Sequence, residues 1–263
     1  MVKLNFSKIK KLKTPYPIIT MNKFLDLKIC KKICREINDF NNYDDLVMNG
    51  RFRVNKGSDH FDQQLKQSPN LKSLYNQLNN LKFYKKISNQ LNYEISDRIN
   101  NFYPELNNPS FSKNKFGRQS FKLLSHLRET KFISKLFRQT LNLDMDFSKS
   151  KKGYFRVAHR DRDTRVISFL IYLNSFKNKD GGQLEIYETK KNFYTHDKFP
   201  RFPEKKAVKK IISFPPKAGQ LVVFMSTPDS YHGVSKFKST KKDRVFIYGS
   251  YSMDRKVTWR INA

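Results

Sequence analysis

A chain of 263 residues can bury a sizeable core, and an aromatic content of 14% excludes a disordered linker or tail. Fifty-three Lys and Arg against 23 Asp and Glu leave a formal net charge of +30. That charge fits an anionic partner such as nucleic acid, a membrane surface or acidic substrates, and it equally fits the Lys-, Asn- and Ile-rich drift of an AT-rich coding sequence; both readings stay open.

The N-terminal "MVKLNFSKIKKLKTPYP" is basic and lacks the apolar stretch of a signal peptide. The longest apolar run, Val166 to Leu173, is far short of the ~20 residues that span a bilayer, so a soluble, cytoplasmic protein is expected. Ile18 and Ile19 read as a strand, after which Phe24, Leu25, Ile29, Ile33 and Ile37 recur at helical spacing. Cys30 and Cys34 fall on one face of that helix, with Cβ atoms about 5–6 Å apart, too far for a bridge, so reduced thiols are expected. Residues 44–58 read as irregular. A helical pattern follows, broken at Pro69; residues 102–117, with Pro104, Pro109 and Gly117, read as a loop; and a further helix covers 120–142, capped near Ser120.

From about Leu141 the character changes. Short β-like runs occupy 142–148, 153–159, 165–174, 183–188, 208–213, 220–225, 231–235 and 244–251, separated by turns such as Asp180-Gly181-Gly182. Strands following helices imply an α+β jelly roll or sandwich buttressed by the N-terminal helices. Residues 1–140 are then a mainly helical part packing on the sheet, and 141–263 a jelly-roll core.

Histidine is scarce enough to inspect in full. His60 precedes a helix, His126 reads as a packing or surface residue inside one, and His196 sits in the aromatic loop "NFYTHDKFP", as a solvated residue or one near a substrate. His159 and Asp161 differ, because strand alternation turns residues two apart to one face. His232 opens a later strand after "AGQLVVFMSTPDSYHG". Two histidines and a carboxylate on facing strands make a facial triad for ferrous iron with positions open for O₂ and a co-substrate. Twelve residues on, Arg244 opens the apolar strand "RVFIYGSYS", where a guanidinium could neutralise the distal carboxylate of an α-keto acid.

In the order "AHRD", "VISFLIYLN", "DGGQLEIYE", "PPKAGQLVVFMSTPDSYHGV" and "DRVFIYGSY", residues 141–252 resemble the iron(II)/2-oxoglutarate-dependent dioxygenases of the prolyl 4-hydroxylase type. The resemblance implies a double-stranded β-helix with Fe(II) on His159, Asp161 and His232. It also implies 2-oxoglutarate on Arg244, Tyr172 and Tyr154, and oxidation of that co-substrate by O₂ to succinate and CO₂ as a substrate C–H is hydroxylated. Ascorbate is then a candidate reductant. The implied substrate is a small molecule or a peptidyl side chain, prolyl among them. Asp161 favours hydroxylation over halogenation, whose enzymes carry a small residue there.

Arg160, Arg162 and Arg165 flank the ligands, Arg160 turned away by alternation. Arg162, Arg165 and His196 are candidate rim residues for an anionic substrate, against a plain solvated turn. Segment 189–210, basic and aromatic, reads as a lid or a stacking surface for single-stranded nucleic acid. Two alternatives are a nucleic-acid demethylase resembling the AlkB group and a non-enzymatic polyanion-binding jelly roll. Ser250 stands where the AlkB group has a second arginine, and an intact His159, Asp161, His232 and Arg244 set argues against a decayed site.

Overall fold

Two apolar runs, RVISFLIY and LVVFM, are buried at every position, which a strand allows only when both faces of its sheet are covered. The computed structural model describes residues 2–47, 50–92, 102–104, 110–111, 140–190, 193–194, 199–253, 256–257 and 259–261. The N-terminal elements are β1 (Ile9–Leu12), β2 (Ile18–Met21), α1 (Leu27–Asn38), β3 (Asp45–Val47), β4 (Arg51–Asn55), α2 (Asp59–Gln67), α3 (Pro69–Leu78) and α4 (Leu81–Asn92). Two short strands follow, β5 (Phe102–Pro104) and β6 (Ser110–Phe111). The later strands are β7 (Thr140–Ser150), β8 (Arg156–His159), β9 (Arg165–Tyr172), β10 (Leu184–Thr189), β11 (Val208–Phe214), β12 (Leu221–Met225), β13 (His232–Val234), β14 (Arg244–Met253) and β15 (Trp259–Ile261).

The large sheet runs β1-β2-β12-β9-β14-β7-β4-β3, with β6 pairing β7, and the small sheet runs β11-β10-β13-β8. From β7 to β14 the chain passes back and forth between the two, and every pairing among these eight strands is antiparallel. That is a double-stranded β-helix, the jelly roll expected. Side-chain alternation divides its apolar residues. Phe169, Ile171, Val223 and Ile247 join a core shared with the helices. Leu170, Tyr172, Phe224 and Phe246 point the other way, into a second core with Leu184, Ile186 and Phe214 of the small sheet.

The helices begin where local chemistry allows. The Asp26 side chain accepts from the Lys28 amide, Ser58 from the Phe61 amide, and Pro69 occupies the first turn of α3. They are fixed to the sheet by Phe61 stacked on Phe147 at 4.6 Å and by the Tyr251 hydroxyl donating to the Leu78 carbonyl at 2.5 Å.

Three local expectations are corrected. Residues 44–58 are not irregular: β3 and β4 form an antiparallel pair extending the large sheet. Their alternating Arg-Phe-Arg-Val looks polar only because both arginines find acidic partners, Asp146 and Asp45. Within 102–117, β5 and β6 are strands. The last residues of the helix expected over 120–142, from Thr140 on, belong to β7; its earlier residues, His126 included, lie outside the described residues.

Candidate metal and co-substrate site

His159 is the last residue of β8 and His232 the first of β13, and the antiparallel register sets them opposite each other. Their rings lie 4.5 Å apart. Asp161 follows on the same run, and ligand atoms of all three residues lie within 4.8 Å of one another. The Nδ1 of His159 is 2.9 Å from the Val157 carbonyl and that of His232 is 3.0 Å from the Ser230 carbonyl. A carbonyl only accepts, so each Nδ1 carries the proton and each Nε2 turns its lone pair to the common point. Burial, then the neighbouring His232, pushes His159 down to about 3, and burial lowers His232 against the pull of Asp161. Both rings are therefore neutral, the form that binds a metal.

Asp161 is held from three sides. Arg165 donates to its Oδ1, Ser168 Oγ donates to Oδ2 at 2.5 Å, and the Tyr248 hydroxyl stands 3.0 and 3.1 Å from the two oxygens. Burial opposes ionisation, but the Arg165 guanidinium and the Ser168 hydrogen bond hold the carboxyl well below the usual range. Arg165 is thus not an exposed rim charge. It is 9% exposed, paired with Asp161 and within 3.5 Å of Asp144, because alternation along β9 turns it under the metal ligand.

Arg244 is fully buried, and among the described residues none of its three guanidinium nitrogens has a hydrogen-bond partner within normal geometry; nor has the hydroxyl of Tyr172. The guanidinium carbon sits 5.2 Å from the Tyr172 ring centre and 4.1 Å from that of Phe246. Burial lowers its pKa, with Tyr172 opposing. Gly182 makes room for it: at φ +70°, a Cβ there would lie 2.9 Å from Arg244 Cδ. Tyr154 is buried and lines the same cavity, which holds about 130 Å³. A buried cation without partners is costly, so the bay is built for an anion. The donor sets fit both groups that the resemblance implies: a ferrous ion on two neutral imidazoles and a carboxylate, and a distal carboxylate on Arg244.

Of the other expected residues, Arg162 is exposed and lines the cavity. His196 lies outside the described residues. Arg160 binds the carbonyls of Phe199 and Arg201, each at 2.9 Å, so the described end of segment 189–210 is tied to the site. Sequence reading missed Arg51, Arg53, Arg156, Arg201, Phe202, Ser168 and Tyr248. Two of these carried a signal: Tyr248 is four residues after Arg244 on the same strand face, and Ser168 is the polar residue inside an apolar strand.

The double-stranded β-helix brings His159, Asp161 and His232 into one cluster whose atoms could hold a metal ion. Residues 145–251 match the family model described as the 2OG-Fe(II) oxygenase superfamily, and over that core the chain is similar to 2OG-Fe(II) oxygenases. No curated protein matches. Similar solved structures include a prolyl 4-hydroxylase from Pseudomonas putida, at 18% identity, covering 89% of this chain and 91% of that one with a TM-score of 0.42. The viral collagen prolyl hydroxylase of Paramecium Bursaria Chlorella virus-1, in complex with 2OG, is 12% identical over 89% and 94% of the two chains, with a TM-score of 0.43. HygX from Streptomyces hygroscopicus, with nickel and 2-oxoglutarate bound, is 12% identical over 89% and 82%, with a TM-score of 0.45. Among the described residues no helix is long and apolar enough to cross a membrane.

Proposed function

We propose that this protein hydroxylates an unactivated C–H bond of a small-molecule or peptidyl substrate, with release of succinate and CO₂. The observation that carries the reading is Arg244, wholly buried with three nitrogens that have no hydrogen-bond partner among the described residues, in the cavity that also contains the His159, Asp161 and His232 cluster. In this reading residues 141–263 are the catalytic core and the preceding residues buttress it. When bound, iron(II) supplies the O₂ activation that couples oxidation of 2-oxoglutarate to oxygen insertion into the substrate.

The chain's own residues do the positioning. The carbonyls of Val157 and Ser230 fix the two imidazoles, and Arg165 keeps Asp161 ionised. Arg244 takes the distal carboxylate of 2-oxoglutarate, and Tyr172 donates its free hydroxyl to the same group. Tyr154 closes the bay. Leu170, Leu184 and Phe246 form the apolar wall that keeps water from the reacting C–H. Cys30 and Cys34, free thiols in this fold, support a reducing, cytoplasmic setting.

The test is succinate formation from 2-oxoglutarate with Fe(II), O₂ and ascorbate as reductant, beside a titration of 2-oxoglutarate onto the Mn(II)-loaded protein. Slow succinate formation without substrate, lost in Asp161→Ala, is expected. Failure of the Mn(II)-loaded protein to bind 2-oxoglutarate would sink the reading.

A further inference from the structure

Among the described residues, seven arginines and two aspartates line the cavity. Most of the arginines are committed. Arg165 is paired with Asp161, Arg51 with Asp146 at 2.6 Å, and Arg53 with Asp45 through two nitrogens. Arg244 faces the co-substrate bay. Arg156 and Arg201 have no carboxylate partner among the described residues; each contributes only a guanidinium beside the Phe202 ring, at 5.7 and 5.4 Å.

Phe202 connects this pair to the metal cluster. Its ring is 51% exposed, yet it stacks on His159 at 6.1 Å with a 25° interplanar angle. Arg156 reaches the same side as His159 because the register slips in β8: His232 pairs with His159, but Val234 pairs with Arg156, so three steps on β8 match two on β13. Arg201 is held from the other side, its carbonyl accepting from the Arg160 amide and the Pro200 carbonyl accepting from Tyr231 at 2.8 Å. Repulsion from Arg201, Arg51 and Arg53 adds to burial in lowering the pKa of Arg156.

The groups already assigned do not neutralise this pair. Ferrous iron with Asp161 and dianionic 2-oxoglutarate with Arg244 form a set whose formal charges cancel. Besides Arg162, which is exposed at the cavity's edge, Arg156 and Arg201 remain, their guanidinium groups beside the exposed Phe202 ring. On the basis of the oxygenase reading above, we propose that the substrate is an oxyanion, a carboxylate or phosphate monoester, bound by Arg156 and Arg201, with a flat or apolar portion seated on Phe202. Paired guanidinium groups match the oxygen geometry of either anion, and a ring between them suits a planar group.

The test uses three probes on the Mn(II)- and 2-oxoglutarate-loaded protein: N-benzoylglycine, phenyl phosphate and the neutral N-benzoylglycinamide. Saturation-transfer NMR reports binding, Mn(II) broadening of the ring protons reports proximity to His159, and the 2-oxoglutarate signals report its occupancy. At least one acid should bind about tenfold or more tightly than the amide without displacing 2-oxoglutarate, and the weaker acid identifies which oxyanion is disfavoured. Arg156→Gln with Arg201→Gln should abolish the preference, and Arg201→Gln alone, at an exposed position, should remove part of it without a question of folding. Equal binding of the amide and both acids, or a preference intact in the double variant, overturns the proposal. Saturation transfer needs no metal, so the comparison also runs on metal-free protein. A protein that discriminates acid from amide but binds neither Mn(II) nor 2-oxoglutarate would refute the oxygenase reading and leave the anion site standing.

Discussion

Two buried arginines in one cavity have opposite surroundings. Arg165 is surrounded by Asp161, Asp144 and the Tyr248 hydroxyl, while Arg244, more deeply buried, has no carboxylate beside it among the described residues, only ring faces and the Tyr172 side chain. Burial alone therefore does not tell what an arginine is for; its hydrogen-bond partners do. A saturated guanidinium is part of the scaffold and fixes a metal ligand. An unsatisfied one marks the place where the molecule is completed by something it binds.

The comparison yields opposite signs on mutation. Arg165→Met leaves Asp161 buried without its counter-charge and should destabilise the protein by about 3–5 kcal/mol, measured by denaturant unfolding, with weaker Mn(II) binding. A stable variant with unchanged metal affinity would break the contrast. Arg244→Met removes a buried charge that has no partner, so the ligand-free protein should be equally or more stable. Its 2-oxoglutarate affinity should fall by about 2–5 kcal/mol, as read by titration of the Mn(II)-loaded form.

Lys56 is an intermediate case, a half-buried cation whose Nζ donates to the Leu143 carbonyl at 2.7 Å, with the Tyr75 ring and the Asp144 carboxylate as further, weaker partners. Burial lowers its pKa to about 8, against an ordinary 10.5. Below pH 8 it is charged in both the folded and unfolded states, and the fold bears the full desolvation cost. Between pH 8 and 10.5 the unfolded chain binds the extra proton, so stability rises with pH across that window. Lys56→Met should gain on the order of 2 kcal/mol at pH 7, and that advantage should vanish by pH 10.5. A constant difference across the window would show that Lys56 keeps its ordinary pKa. The smallest effect is expected from Tyr172→Phe, which removes one buried hydroxyl from the ring beside Arg244: about 1 kcal/mol of 2-oxoglutarate affinity and almost nothing in stability.

The eight jelly-roll strands were legible because their alternation and turn residues are local signals, and β7 to β14 fall within a few residues of the expected runs. His159, Asp161 and His232 were legible because metal chemistry restricts the residue types. What could not be read was pairing. Arg51 and Arg53 come from a segment more than ninety residues before His159, and only the β4–β7 register brings them to the cavity. Arg165 was misassigned for the same reason: one residue's place along β9 decides whether a guanidinium faces water or Asp161. The slip in β8 that delivers Arg156 has no composition signature.

Among the described residues strand β8 has one hydrogen-bonded neighbour in its sheet, β13, and it carries His159 while β13 carries His232. An edge strand is where a sheet frays first. A cation shared by both histidines would rivet that edge to its neighbour, so amide exchange along Arg156–His159 and the rate of metal escape would report one opening event. The ion then has a mechanical duty besides its chemical one: holding the wall to which Arg156 and the ring-stacked Phe202 are attached.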